Sequence, residues 1–506
     1  MTLTPEFPEF EKNYRDGRAQ LVQRRLVSDL ETPVSAFLKL AGARSNAILL
    51  ESVEGGEQLG RYSIIGFKPD ILWRSFGGRS QINRNAASDA SAFVDEEGAP
   101  LVNLKRLFAE SEIKPPPGAS PPSLPPMAAG VFGYLGYDMV RQMEHLGPRP
   151  VGGLDAPDAI FMRPTLVAVF DNVGQEISLF APVRAEPGVS ARAAYARAGE
   201  RLADAAESLA APLAFPIAER LPANQTIDIV SDTDETEFRN KIARAKDYIT
   251  AGDIFQVVLS QRFSTEFTAP PFELYRALRR SNPSPFLFYL KFDDFALVGS
   301  SPEILVRVRD GEVTIRPIAG TRPRGATPAQ DKALEAELLA DPKERAEHLM
   351  LLDLGRNDVG RSAKIGSVRV TESFNIERYS HVMHIASNVI GDLREDVHPV
   401  DAVAAGFPAG TVTGAPKIRA MEIIDELESS ARGVYGGAIG YFSADGNVDT
   451  CIALRTAIVK DGRMYVQAGA GIVADSDPEM EQRECENKAQ ALFSAAKAAL
   501  AQSGNR

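Results

Sequence analysis

Two cysteines and five histidines in 506 residues leave little room for thiolate or imidazole chemistry. Cys451 and Cys485 are too few for a disulfide framework or a thiolate zinc site, and the histidines do not fall at metal-ligand spacing. Neither cysteine carries the local signature of a Cys/His nucleophile pair, so no glutamine-hydrolysing site is expected within the chain. Positive charge is also short: 56 Lys and Arg stand against 68 Asp and Glu, a net charge of -12. Non-specific nucleic-acid binding draws on the opposite surplus, which excludes that class of partner. No stretch reaches the roughly eighteen uninterrupted apolar residues of a membrane span. The opening MTLTPEFPEFEKNYRDGR lacks the apolar core of a secretion signal. A water-soluble, cytoplasmic protein with no membrane partner is the expectation.

What remains is an ordinary globular composition, 44% hydrophobic and 25% charged. Two Pro-rich stretches punctuate it, Lys114 to Pro126 and Ala211 to Asn224. The second is taken as a boundary between a sheet-rich domain, 1–225, and a second domain, 226–506. In the first, short β-type runs stand at 47–50, 62–67, 130–137 and 165–170. In the second, strands are expected at 286–291, 295–299, 304–308, 312–316, 367–371, 436–442, 450–459 and 463–468. Helices are expected at 329–340, 342–355, 416–428 and 478–501. Hairpin signals such as Asp310-Gly311 beside these helices predict an α/β fold of the α+β kind, with paired antiparallel sheets flanked by helices.

The strongest chemical signal is a pair of Glu-x-x-Glu motifs, Glu344/Glu347 and Glu481/Glu484, each on one face of a predicted helix. The second stripe continues through Lys488, Ala491, Leu492, Ala495 and Ala499, which predicts inward-facing carboxylates. Carboxylates gathered in that way suit Mg²⁺. Structural alternatives stand beside this reading: Glu344 as the N3 residue of a capping box opened by Asp341, and Glu484 paired with Lys488. The Gly-rich runs Gly410–Lys417 and Gly469-Ala470-Gly471 offer backbone N–H groups to an anion but lack nucleotide-binding spacing. Arg455, in an alternating strand with Cys451, Ala453 and Ala457, is expected to face a small-residue pocket and take a carboxylate or an internal acid. His384, in apolar surroundings, is a candidate acid or base titrating near neutrality, with a satisfied structural histidine as the commoner alternative.

Residues 235–500 resemble the chorismate-utilising enzymes. The resemblance rests on GDIFQVVLSQRF (252–263), SSPEIL (300–305), PIAGTRPRG (317–325), DPKERAEHLMLLDLGRND (341–358), ERYSHVMHIAS (377–387), GTVTGAPKIRAMEII (410–424), DTCIALRTA (449–457) and QAGAGIVADSDPEMEQRECENKA (467–489). The N-terminal half is similar more loosely, through LLES and GRYSIIG.

The resemblance implies a chorismate-utilising fold with Mg²⁺ as cofactor, held by Glu347 and Glu484 with Glu344 and Glu481 close by. It implies that Tyr435, Arg455, Gly469, Ala470, Gly471 and Lys488 hold substrate carboxylates, with Gly320 and Thr321 as further contacts. Glu303, His384, Gln256 and Thr411 form the implied catalytic set. Relatives that add water carry Lys at Gln256, and folate-directed relatives commonly carry a Lys nucleophile at Ala319. The implied nucleophile is therefore ammonia, and the implied reaction is conversion of chorismate to anthranilate and pyruvate through aminodeoxyisochorismate, for tryptophan synthesis. A 4-amino product remains the nearest alternative. The resemblance also implies a glutamine amidotransferase subunit as partner in a hetero-oligomer, a heterotetramer being expected. Feedback inhibition by tryptophan is implied at Leu50, Glu51, Ser52, Pro283, Ser284, Pro285, Phe286, Leu287, Ile439 and Tyr441.

Overall fold

The computed structural model describes residues 2–54, 58–114, 125, 127–213, 227–379 and 382–503. The 225/226 boundary and most of Lys114–Pro126 lie outside them. The expected strands form two large antiparallel sheets.

In the first sheet the strands lie in the order Gln20–Val27, Glu176–Val183, Ala159–Asp171, Gln58–Phe76, Ala47–Glu54, Phe286–Lys291, Phe295–Ser301, Thr456–Lys460, Arg463–Ile472 and Gln256–Glu266. The second takes the other ends of the two long strands 58–76 and 159–171. It continues through Gly130–Leu135, Ala438–Ser443, Val448–Ile452, Ile304–Arg309, Glu312–Ile315 and Val382–Asp392 to Arg369–Arg378. The long pair changes sheet where its register shifts between Pro69 and Ile71, next to Lys68 at φ 53°. A bulge of this kind bends a strand without ending it.

Sheet faces then dictate the layers. Phe132, Tyr134, Phe288, Leu290, Ile439 and Tyr441 fill the space between the sheets. Helices Pro271–Ser281 and Pro478–Ser503 close the outer face of the first sheet, and Pro100–Ser111, Pro342–Ser362 and Pro399–Gly406 that of the second. The two halves of the chain are interleaved, since strand 47–54 pairs with 286–291 and strand 130–135 with 438–443. No helix among the described residues is long and apolar enough to cross a membrane.

Two local expectations are corrected. The run 450–459 is two strands, Val448–Ile452 and Thr456–Lys460, because Arg455 adopts the left-handed conformation at φ 46° and breaks the ladder. Of the expected stripe Leu492, Ala495 and Ala499 are buried, together with Cys485, Ala489, Phe493 and Ala496, but its charged start is not part of that line. The Glu481/Glu484/Lys488 stripe is turned from that line toward an open cleft, leaving the Glu484 and Lys488 side chains 47% and 46% exposed. The outward edge of an amphipathic helix tolerates charge that its core line does not.

Candidate functional site

Helix Pro342–Ser362 starts at Asp341, whose carboxylate accepts from the Lys343 and Glu344 N–H groups. The reciprocal half of a capping box is not made, because the Glu344 carboxylate accepts from Arg322 at 3.0 Å. Arg322 also donates to Asp341 and Glu337. One turn on, Glu347 reaches the first residue of strand 256–266, where the Gln256 Nε2 donates to it at 3.0 Å. The Gln256 Oε1 is buried and without a hydrogen-bond partner among the described residues.

The neighbouring strand closes in at the same point. A Cβ on Gly471 would stand 2.4 Å from Gln256 Nε2, and one on Gly469 2.7 Å from the Tyr435 hydroxyl. Glycine is required at 469, where the Leu259 carbonyl would also stand 2.8 Å from a Cβ; at 471 only the end of the Gln256 side chain would have to move. Between them Ala470 alternates to the other face and is buried in the helix-covered core, so its side chain does not reach the cleft. Lys488 donates to the Gly469 carbonyl at 2.8 Å and pairs with Glu484 at 2.6 Å. The bland pairing of Glu484 with Lys488 is thus present, at the cleft rim.

Burial, followed by neighbouring carboxylates, holds the Glu347 carboxyl above the usual range, and the same cause raises Glu481. No three His, Cys, Asp or Glu side chains among the described residues are gathered tightly enough to hold an ion unaided. The donor set nonetheless fits Mg²⁺, which takes one or two carboxylates and completes its shell with water and substrate oxygens.

Opposite these acids are three groups that carry or exchange protons. Glu303 is buried, and burial pushes its carboxyl up to about 8 despite the Thr411 hydroxyl, which donates to it at 3.1 Å. It is a neutral acid at pH 7. Strand Ile318–Pro323 bulges at Gly320, and the Gly320 carbonyl accepts from His384 Nδ1 at 3.0 Å, with the Thr321 hydroxyl 3.1 Å from the same nitrogen. A carbonyl only accepts, so Nδ1 carries the proton and Nε2 keeps its lone pair. Burial pushes the ring down to about 4, which corrects the expectation of titration near neutrality. Arg455 and Lys488 both act on His384 electrostatically. Arg455 is half-buried, with no ion-pair partner among the described residues, and burial lowers its pKa.

The residues expected to bind an inhibitor meet elsewhere. Leu50, Glu51, Ser52, Pro285, Phe286, Leu287, Ile439 and Tyr441 line one cavity of about 760 Å³. Pro283 and Ser284 are not part of its lining. Pairing of Ser52 with Phe286 and of Glu51 with Leu287 brings the two halves of the chain together there. Glu51 is buried in the wall, held by Arg279 at 2.7 and 3.0 Å and by the Tyr275 hydroxyl.

Several further groups around the site are assigned no role from the sequence, although Arg322, Asp358, Tyr379 and Lys417 stand inside segments that carry the resemblance. Arg322, Tyr379 (5.7 Å from the His384 ring) and the ion pairs Lys417–Asp358 and Arg432–Glu428 become visible only once the chain is folded. Arg322 is on strand Ile318–Pro323 and Arg432 and Tyr379 lie outside helices, so no local periodicity marks them.

A family model described as chorismate binding enzyme matches residues 65–494. Anthranilate synthase component 1 of Cereibacter sphaeroides is 57% identical over 97% of this chain and 97% of its own. That of Pseudomonas aeruginosa is 49% identical, over 93% and 94%. The solved anthranilate synthase component I of Streptococcus pneumoniae superposes with a TM-score of 0.74 at 37% identity, covering 93% of this chain and 99% of that one. The menaquinone-specific isochorismate synthase MenF of Escherichia coli, 20% identical with a TM-score of 0.68 over 96% and 98%, shares the fold. By sequence and by architecture the chain belongs to the chorismate binding enzyme family, where it groups with the anthranilate synthase component 1 proteins.

Proposed function

We propose that this chain is the chorismate-converting subunit of an anthranilate synthase, acting on chorismate and ammonia to release anthranilate and pyruvate. The observation that carries the reading is Glu303, a carboxyl buried against the Thr411 hydroxyl at 3.1 Å, where burial pushes it up to about 8. Loss of the substrate C4 hydroxyl needs a proton donor, and a buried carboxyl with a pKa near the working pH is suited to that task. Arg455 and Lys488 are the cations for the two substrate carboxylates, and the Gly469 and Gly471 surface lets the substrate ring come close to the strand. Glu347 and Glu484, with Glu344 and Glu481 beside them, would hold Mg²⁺. The ion, when bound, would neutralise a substrate carboxylate and spread the charge that develops on it.

Gln256 is no base and Ala319 no nucleophile, so the new C–N bond comes from free ammonia attacking C2 as the C4–O bond breaks. The C2 proton then leaves, the bond from ring carbon C3 to the ether oxygen breaks so that the oxygen departs with the enolpyruvyl group, and the enolpyruvyl methylene carbon gains a proton to become pyruvate. His384, neutral and with its Nε2 lone pair free, is the base for that second step. The component 1 name of the relatives implies a second component, and a glutamine amidotransferase that supplies ammonia fits this need. The 760 Å³ cavity, which sets apolar residues such as Leu50, Ile64 and Phe288 beside Arg, Glu and Asp side chains, suits tryptophan, an apolar ring carrying an ammonium and a carboxylate, as the feedback inhibitor.

The test is an assay of the purified chain with chorismate, Mg²⁺ and ammonium. Anthranilate and pyruvate are expected in equal amounts, lost on adding EDTA and restored by excess Mg²⁺. Isochorismate or a 4-amino product would overturn the reading. In the same preparation tryptophan is expected to lower turnover and to raise the melting temperature, because a ligand of the folded state stabilises it by mass action. Inhibition without any shift in melting would place tryptophan outside this account.

A further inference from the structure

Arg432 lies outside the substrate-contacting set, yet three parts of the site meet on it. It is fully enclosed, and its donors are used in three directions. NH1 donates to the Val412 carbonyl at 2.6 Å, one residue after Thr411. NH2 donates to the Val258 carbonyl at 2.7 Å, on the strand that begins with Gln256. Nε and NH2 form a fork onto Glu428 at 2.9 and 2.6 Å. The guanidinium plane also lies 5.5 Å from the Tyr435 ring and 4.7 Å from that of Tyr137. Glu428 is fixed in turn by the Ser260 N–H and hydroxyl at 2.8 and 2.9 Å.

A planar fork of five donors matches this layout, and a lysine ammonium, with three donors on one atom, cannot reach both carbonyls and the carboxylate together. Desolvating a guanidinium so completely is costly unless every donor is paired.

We propose that Arg432 is a positioning residue, whose guanidinium locks the Val412 carbonyl, the Val258 strand and the Tyr435 ring together and so sets where Thr411 and Tyr435 stand. This rests on the proposed reaction, in which Thr411 orients the acid Glu303 and Tyr435 faces the substrate.

The test is a double-mutant cycle scored on anthranilate formation. R432K is expected to fold and to lower kcat roughly ten- to hundred-fold, the range expected when site groups shift by a fraction of an ångström to one ångström. In a T411A/Y435F background the same change is expected to cost less than about two-fold, since the two hydroxyls it positions are gone. The melting temperature reports the structural share separately and is expected to fall by the same amount in both backgrounds. If R432K does not fold, S260A takes its place: it removes one hydrogen bond to Glu428 while the Ser260 N–H keeps the other, and is expected to give the same non-additivity at smaller size. An equal fold-loss in both backgrounds, or wild-type kcat in R432K, overturns the proposal. Wild-type protein is run first. If it makes no anthranilate, the functional reading fails, and the cycle is scored on chorismate consumption. If it makes anthranilate and the cycle is additive, only the positioning role fails.

Discussion

Replacing Glu303 by Gln is expected to cut kcat by about 10²–10⁴-fold, the usual share of a general acid, and to make the protein more stable at alkaline pH. The two effects have one cause. In the folded chain burial raises the Glu303 carboxyl from 4.5 to about 8, so between those values the native state holds a proton that the unfolded state has released. Stability therefore falls as pH rises through that window. Above pH 8 the buried carboxylate is charged, with only the Thr411 hydroxyl and the Ile318 N–H as hydrogen-bond donors. Glutamine escapes this penalty, and the gain in the variant, up to a few kcal/mol, is expected above pH 8 and absent below pH 4.5. For the wild type, kcat/KM is expected to fall as pH rises through about 8, because it reports the free enzyme's acid. Melting curves and pH–rate profiles of both proteins test the pair of claims. A variant that keeps the alkaline limb, or that gains equally at pH 4 and pH 9, would remove Glu303 from the role of acid.

The sequence was most informative where local pattern and chemistry coincide. Strand 286–291 stands where its alternation places it, and the helix expected at 342–355 starts where its cap signals but runs on to Ser362. Arg455 was legible as an unusual inward-directed cation, but not as the residue that splits its strand, because a left-handed φ at an arginine has no propensity signature. The Glu481/Glu484/Lys488 stripe was assigned to the core by helical spacing alone. Spacing defines a face but does not say which of two adjacent faces the rest of the chain will cover, and here Cys485 and Ala489 face the core while Glu484 and Lys488 edge the cleft. Partner choice between strands is the least local property of all. Nothing in LLES or NPSPF says that Ser52 will pair with Phe286, yet that register builds the second cavity. For His384 the residue type and apolar setting are legible, but its protonation follows first from the depth of burial and then from a carbonyl and two cations brought from distant segments.

The largest loss of stability is expected from removing one partner of the Lys417–Asp358 pair. Both side chains are sequestered, 8% and 6% exposed, with Nζ at 2.9 Å from each carboxylate oxygen. The pair joins the helix that carries Glu344 and Glu347 to the helix that follows the Gly410–Pro416 turn, and so ties the Thr411 loop to the acidic wall. Lys417→Met leaves a carboxylate buried without its cation and is expected to cost about 3–5 kcal/mol. Its single-site counterpart Asp358→Leu is expected to cost a similar amount, stranding the ammonium. The double variant, with neither charge, is expected to recover most of the loss, because two apolar side chains of comparable volume replace a pair whose desolvation nearly cancels its attraction. Denaturant melts of the four proteins measure this directly, and additive losses would show that the pair is not a coupled unit. Turnover separates stability from alignment. If the pair only supports the fold, the double variant works like the wild type; if it also holds Thr411 against Glu303, stability returns while kcat stays low. The second outcome is expected, since an apolar contact restores packing between the helices without a directed bond to hold their register.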